Sequence, residues 1–240
     1  MDIQRRKIEF IVLFYFLLFS AMNISAQVAE FQFAVRGGLN LSTALVNDAV
    51  AIKFKPGYHI GGTVEYMFSP KLGIQSGLFF SAKGAEIDGF NSGSYIGGSP
   101  DYTYTFNELY LDLPFYATFR KSISNKLNLN LGIGPYFGYG IAGKTKEKLN
   151  NGGVFADGKT EIEWDTFGNG VYDETRDWLT GENLNRFDFG AGLKVDFEYD
   201  KLILGVGFES SIIDILNKNE YQQDLMYRNI NIRTSIGYKF

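Results

Sequence analysis

From residue 31 onward the chain repeatedly alternates apolar and polar side chains, in stretches of about ten residues or more. A period of two sends successive side chains to opposite faces of a strand, whereas a helix would scatter the same charges around its circumference. The clearest run sets Leu109, Leu111, Leu113, Phe115, Ala117 and Phe119 against Glu108, Tyr110, Asp112, Pro114, Tyr116, Thr118 and Arg120. Strands of soluble proteins average five or six residues. Runs of about ten suit a tilted crossing of a bilayer.

Eight such runs follow one another, opening near Phe31, Tyr58, Leu72, Glu108, Leu127, Arg186, Leu202 and Ile230. Their links alternate in length. Short links fall at Ser69–Lys71, Lys121–Lys126 and Asp200-Lys201, and longer ones cover Ser42–Pro56, Gly84–Thr103, Gly143–Leu184 and Asp214–Arg228. Short turns on one rim and long loops on the other form the pattern of periplasmic turns and extracellular loops. Energetics then orients the faces. A Lys or Arg facing lipid at mid-membrane costs about 2–4 kcal/mol, so the face bearing Asp112, Lys194, Asp196 and Arg233 turns inward and the apolar face meets lipid. The expected fold is all-β: an eight-stranded antiparallel up-and-down transmembrane β-barrel of the outer-membrane type, with long extracellular loops.

Composition agrees. Aromatics reach 16%, with 28 glycines and only 5 prolines, as strands with aromatic anchors and tight bends require. A net charge of −4 without a basic stripe argues against nucleic acid as partner. The absence of cysteine removes disulfides, thiolate metal sites and a Cys nucleophile together. At the start of the chain, Arg5, Arg6 and Lys7 precede an apolar stretch from Ile8 to Phe19 broken only by Glu9, and small residues Ser25-Ala26 follow. That stretch is short for a membrane span and has the layout of a secretory signal peptide cleaved after Ala26. Residues 1–26 are therefore expected to be the signal peptide and residues 27–240 the barrel domain, placed in the cell outer membrane as a multi-pass protein. The closing strand ends on Tyr238 and Phe240, an aromatic ending similar to the one the outer-membrane assembly machinery accepts.

Several segments resemble the PorT-like outer-membrane barrels of Bacteroidota, also described as the porin family or outer-membrane β-barrel domain. They are Gly37-Gly38-Leu39-Asn40, the run Leu72-Gly73-Ile74-Gln75-Ser76-Gly77-Leu78-Phe79-Phe80-Ser81-Ala82-Lys83-Gly84, Tyr110-Leu111-Asp112-Leu113-Pro114-Phe115, Gly132-Ile133-Gly134-Pro135-Tyr136-Phe137-Gly138 and Ile236-Gly237-Tyr238-Lys239-Phe240. The resemblance runs through the chain in register. It implies the barrel fold and an envelope role, and through one relative a link to secretion and gliding, but no particular activity.

The inward set proposed here comprises Arg36, Glu65, Lys83, Glu108, Asp112, Arg120, Arg186, Asp188, Lys194, Asp196, Glu198, Glu209, Arg233 and Lys239. Both signs occur in similar number, and an eight-stranded barrel is just wide enough to be filled by its own side chains. A mutually neutralising plug is the expectation, with an open pore as its rival. His59 is the only histidine; a hydrolase would need it beside an inward serine, and no motif supplies one. Asp165, Asn169, Gly170 and Asp173 have part of a calcium-loop spacing, but Phe167 and Arg176 occupy positions where that loop needs ligands. No residue is assigned a catalytic, cofactor-binding or metal-binding role, and no cofactor is expected. The chain reads as a non-enzymatic monomer with a structural, adhesion or envelope-interaction role, in contact with outer-membrane lipid and lipopolysaccharide and with the assembly machinery during biogenesis. A small-solute porin and an accessory of protein secretion are the alternatives.

Overall fold

The computed structural model describes residues 30–47, 51–88, 102–149, 158–168, 183–217 and 226–240. The expected signal peptide lies outside them. Twelve strands occur among the described residues: β1 Glu30–Val46, β2 Ala51–Met67, β3 Leu72–Lys83, β4 Ala85–Asp88, β5 Tyr102–Ser122, β6 Leu127–Leu149, β7 Glu161–Asp165, β8 Asn183–Leu184, β9 Phe187–Tyr199, β10 Leu202–Ser211, β11 Leu216–Asn217 and β12 Tyr227–Lys239.

Eight of them close a ring. Going round it, β1 pairs with β2, β2 with β3, β3 with β5 and β5 with β6, every pair antiparallel. The ring continues through β6–β9, β9–β10 and β10–β12, and the β12–β1 ladder from Ala34↔Lys239 to Val46↔Tyr227 shuts it. Closure leaves no barrel edge, which is what a lipid environment demands of backbone N–H and C=O groups. The eight strands are the eight expected, in the expected order.

The faces also fall as expected. Leu39 is 68% exposed and Ile133 65%, on the same outer belt as Phe33, Tyr58, Ile74, Leu193 and Leu204. Their sequence neighbours Asn40, His59, Gln75, Lys194 and Ile203 are buried. At the short-turn rim, Tyr199 pairs with Leu202 across Asp200-Lys201, and Asp200 takes a left-handed φ of 53°. A two-residue hairpin needs positive φ, and Asp tolerates it better than most side chains. Three prolines sit inside the wall, where a missing N–H should break a ladder, and beside Pro56 strand β2 changes partner between Phe54↔Ala85 and His59↔Ser81. The β3–β5 pairing lapses between Ser76↔Phe115 and Phe79↔Asp112, beside Pro114, and the β5–β6 pairing lapses between Pro114↔Tyr136 and Ala117↔Ile133, beside Pro135. Ser76 Oγ donates to the Pro114 carbonyl at 2.9 Å, which recovers one acceptor.

One expectation needs correction. Among the described residues, the links expected at Ser42–Pro56, Gly84–Thr103, Gly143–Leu184 and Asp214–Arg228 carry strand at both ends. Strand β1 reaches Val46 and β2 starts at Ala51; β5 begins at Tyr102; β6 runs to Leu149 and is extended sideways by β7. Even Tyr227, at the end of the last of these links, pairs with Val46. The wall therefore stands tall over β12, β1, β2, β4, β5 and β6, whereas the β6–β9 ladder stops at Tyr139↔Phe187. The reason is a change of solvent. Above the belt water replaces lipid, so the inward positions Tyr104 and Phe106 become apolar while Thr103 and Thr105 face out. The alternation persists with its chemistry reversed.

A charge placed midway down the belt tests the lipid assignment. Val206 is 56% exposed and pairs with Val195, about halfway along the β9–β10 hairpin. Val206→Arg is expected to lower barrel stability by about 2–4 kcal/mol, read as a shift of the urea unfolding midpoint in lipid vesicles.

Candidate functional site

Inside the ring the inward charges assemble into three tiers. Nearest the short turns, Arg120 contacts Glu65 at 2.6 Å and Glu198 at 3.4 Å, Lys239 meets Glu198 at 3.0 Å, and Asn130 donates to both carboxylates. In the middle, Arg36 forks onto Asp196 through Nη1 at 2.9 Å and Nη2 at 2.8 Å, and Lys194 bonds the same carboxylate. Beside them Glu209 accepts from Arg233, Tyr116 and Asn231. In the upper tier Lys83 meets Asp112 at 2.8 Å and lies 4.8 Å from the Tyr110 ring centre and 5.1 Å from that of Tyr136. Small residues make the space. A Cβ on Gly205 would stand 2.3 Å from Asp196 Oδ1, and one on Gly192 would stand 2.5 Å from the Tyr116 hydroxyl.

Glu108 and Asp188 are held differently. Among the described residues, neutral donors satisfy them: Tyr227 Oη and Asn229 Nδ2 donate to Glu108 at 2.8 and 3.0 Å, and Ser211, Tyr136 and Asn229 donate to Asp188. Above them an apolar layer roofs the lumen. It is built from Tyr104, Phe106, Tyr110 and Tyr227 on the tall wall, Trp164 of β7, and Phe167, Leu184, Ile215 and Leu216 from the segments beyond. Phe106 and Tyr227 rings lie 5.0 Å apart, and Tyr110 meets Phe167 edge-on at 5.4 Å. The space left in the mid-lumen beside Arg36, Tyr116, Lys194 and Arg233 is about 40 Å³. That holds a few waters.

Thirteen of the fourteen expected inward charges lie in this network. Arg186 does not: it donates to the Gly140 carbonyl at 2.8 Å and stacks on the Phe167 ring at the roof. The roof itself, and the neutral partners Tyr227, Asn229 and Ser211, escaped the sequence reading. Their signal was an apolar or amide residue on an otherwise charged inward face. The Asp165 to Arg176 segment is described only as far as Gly168. There Asp165 Oδ1 accepts from the Phe167 amide at 3.0 Å, an Asx-type turn.

His59 does have an inward serine. Its Nε2 lies 3.0 Å from Ser235 Oγ and its Nδ1 lies 2.8 Å from Asn40 Oδ1. Asn40 Nδ2 already donates to the Tyr58 and Ala82 carbonyls, so its oxygen is the atom facing the ring. Nδ1 must then carry the proton and Nε2 accepts from Ser235, the polarity of a hydrolytic triad. Residues 176 positions apart in sequence give no motif for this. Yet His59 is 2% exposed, and the cavity that Ser235 borders among the described residues is about 40 Å³, too small for an ester with its acyl chain. The trio braces the junction of β1, β2 and β12.

Outside the lumen, above the lipid belt, charges pair on the wall. Lys53 lies 2.8 Å from both Glu86 and Asp88; hydrogen bonds to Asp88 and then Glu86 hold its ammonium above its ordinary pKa. The hydrogen bond from Lys144 likewise holds Glu163 below the usual range.

The comparisons with known proteins meet this geometry directly. The family model described as outer membrane protein beta-barrel domain matches residues 23–217. The chain belongs to that family. Its place is the outer membrane, and the ring above is the family's barrel. No curated protein matches the sequence. Among solved structures, the barrel is similar to Ail, the attachment invasion locus protein of Yersinia pestis, at 12% identity over 88% of this chain and 99% of that one, with a TM-score of 0.43. Neisserial surface protein A gives 11% identity over 87% and 97%, TM-score 0.37, and OprG of Pseudomonas aeruginosa 14% over 88% and 97%, TM-score 0.36. Scores this low carry no weight beside the strand pairings, which close the barrel by themselves.

The outer-membrane barrel should feel the loss of one partner far more than the loss of both. Lys83→Met strands the Asp112 carboxylate in a dry interior and is expected to cost about 3–5 kcal/mol. Lys83→Met with Asp112→Leu should recover most of that in vesicle unfolding. A second expectation concerns the His59 trio. A fluorophosphonate probe should leave Ser235 unlabelled, and Ser235→Ala should change membrane lipid composition not at all.

Proposed function

We propose that this outer-membrane barrel is a closed, non-conducting structural element whose role is envelope interaction or adhesion at its tall outer rim. The observation that carries this reading is the filled lumen. Among the described residues, three tiers of paired charges and an apolar roof occupy the axis, and the cavity beside the middle tier is about 40 Å³. A pore would need charged walls facing water, whereas Asp112 and Asp188 are each 0% exposed.

The rest of the reading accompanies this role. Export by a signal peptide removed after Ala26, with 27–240 as the mature barrel, is supported by the basic, apolar and small-residue order of the first 26 residues. Delivery by the assembly machinery is supported by outward Tyr238 and Phe240 on the closing strand, their rings edge-on at 5.7 Å. Kinship with PorT-like barrels of Bacteroidota is supported by the segments around Gly38, Gly77, Asp112 and Pro135, each placed at a close approach or a ladder lapse that a barrel wall needs. The barrel works as a monomer in contact with outer-leaflet lipid, because the ring is complete without a partner strand.

Planar-bilayer recording with purified, refolded protein tests the central claim. Silence is expected over long recordings at moderate voltage. Reproducible unitary currents, abolished when the protein is omitted, would replace the closed reading with the porin one. If the role were in secretion, deletion of the gene would impair cargo export while leaving solute permeability unchanged.

A further inference from the structure

Where lipid-facing wall gives way to water-facing wall, one stretch of the outer surface is hollow. A groove of about 990 Å³ runs across β2, β3, β5, β6 and β7. Cross-strand pairing places its lining in rows. The membrane-side row pairs Leu109 with Ala142, next to Ile141 and outward Tyr58. The next row up aligns Asn107, Lys144 and Asp165 across three strands, and the row above it aligns Thr105, Lys146 and Glu163. An apolar floor thus borders a polar wall bearing both signs of charge, separated by one residue step.

The two signs are incompletely paired with each other. Lys144 and Lys146 converge on the single carboxylate of Glu163, and Lys146 also reaches Glu161 at 2.9 Å. Their side chains remain 68% and 41% exposed, so ammonium hydrogens are left for another acceptor. Lys144 bypasses Asp165, its partner across the ladder. Among the described residues Asp165 therefore has no cation, only the Phe167 amide. One carboxylate open to a cation lies beside two lysines open to an anion.

We infer that this groove seats the phosphoethanolamine headgroup of an outer-leaflet lipid, phosphate on Lys144 and Lys146 and ammonium on Asp165, with the first acyl carbons against Leu109, Ile141 and Tyr58. A purely anionic headgroup would meet Glu163 and Asp165 unfavourably. A quaternary ammonium would supply no N–H to the Asp165 carboxylate. The assignment rests on the outward rows of Lys144, Lys146, Glu163 and Asp165, so it stands whether or not the barrel conducts.

Native mass spectrometry of the detergent-purified full barrel, equilibrated with equimolar dioleoyl phosphatidylethanolamine, phosphatidylcholine and phosphatidylglycerol, decides it. One retained phosphatidylethanolamine is expected, favoured at least about fivefold over either competitor. Lys144→Gln with Lys146→Gln should abolish the preference, and Asp165→Asn should remove discrimination against phosphatidylcholine. Each variant is first required to keep the heat-dependent shift in gel mobility of a folded barrel. Equal retention of all three lipids by the native barrel, or a preference that both folded variants keep, overturns the assignment.

Discussion

The inward carboxylates and their cations hold this molecule together through its lumen. Arg36 of β1 reaches Asp196 of β9, and Arg120 of β5 joins Glu65 of β2 to Glu198 of β9. Neighbouring strands are already bound by their ladders. These pairs tie strands on different arcs of the ring, and so resist flattening of a barrel too narrow to hold bulk water. Burying one such charge alone would be prohibitive, so the tiers form together or not at all. With the lumen occupied this way, the outer face is left to do what an outer face in lipid does.

Two solvents divide the wall into two kinds of β-structure. Within the belt the strand exteriors are Leu, Ile, Phe and Tyr and the interior is charged. Above it, the same even-numbered positions of β5 change from Asp112, Tyr110 and Glu108 to Phe106 and Tyr104, still facing inward and still buried. The lower part keeps its charges inside because lipid surrounds it, and the upper part keeps its aromatics inside because water does. Tyr110 and Tyr227 sit at the join, with their rings in the roof. The Tyr227 hydroxyl donates to Glu108. Amphipathic aromatics bridge such a boundary without leaving a carboxylate uncovered.

The lower barrel was legible because its rule is simple. One face of each run had to be apolar, and Lys194, Asp196 and Glu198 alternating with Val195 and Phe197 admit one orientation in a membrane. The upper wall was not, since Tyr102–Asn107 alternates in the opposite phase and Lys144–Glu147 is polar on both faces, which reads as loop to a rule built for lipid. Partner choice within the lumen was also hidden. Nothing in spacing separates Arg186, which stacks on Phe167, from Arg233, which meets Glu209. Nor could a lone His59 announce Ser235 and Asn40, because only closure of the ring between β1 and β12 brings first and last strands together.

That closure also decides what the His59 trio is for. Its proton order is that of a base aligned on a hydroxyl, and in a site open to substrate such order would mean chemistry. Here each polar atom of Asn40 is spent on structure, two carbonyls on β2 and β3 and one imidazole, at the place where the β2–β3 ladder ends at His59↔Ser81 and the β2–β4 ladder begins one register away at Phe54↔Ala85. Across this slip Asn40 donates to the carbonyls of Tyr58 and Ala82. His59 then needs an acceptor on one side and a donor on the other, which Asn40 and Ser235 are. The same arrangement that mimics a catalytic relay is the stitching of a seam, and what separates the two is the volume of space beside it.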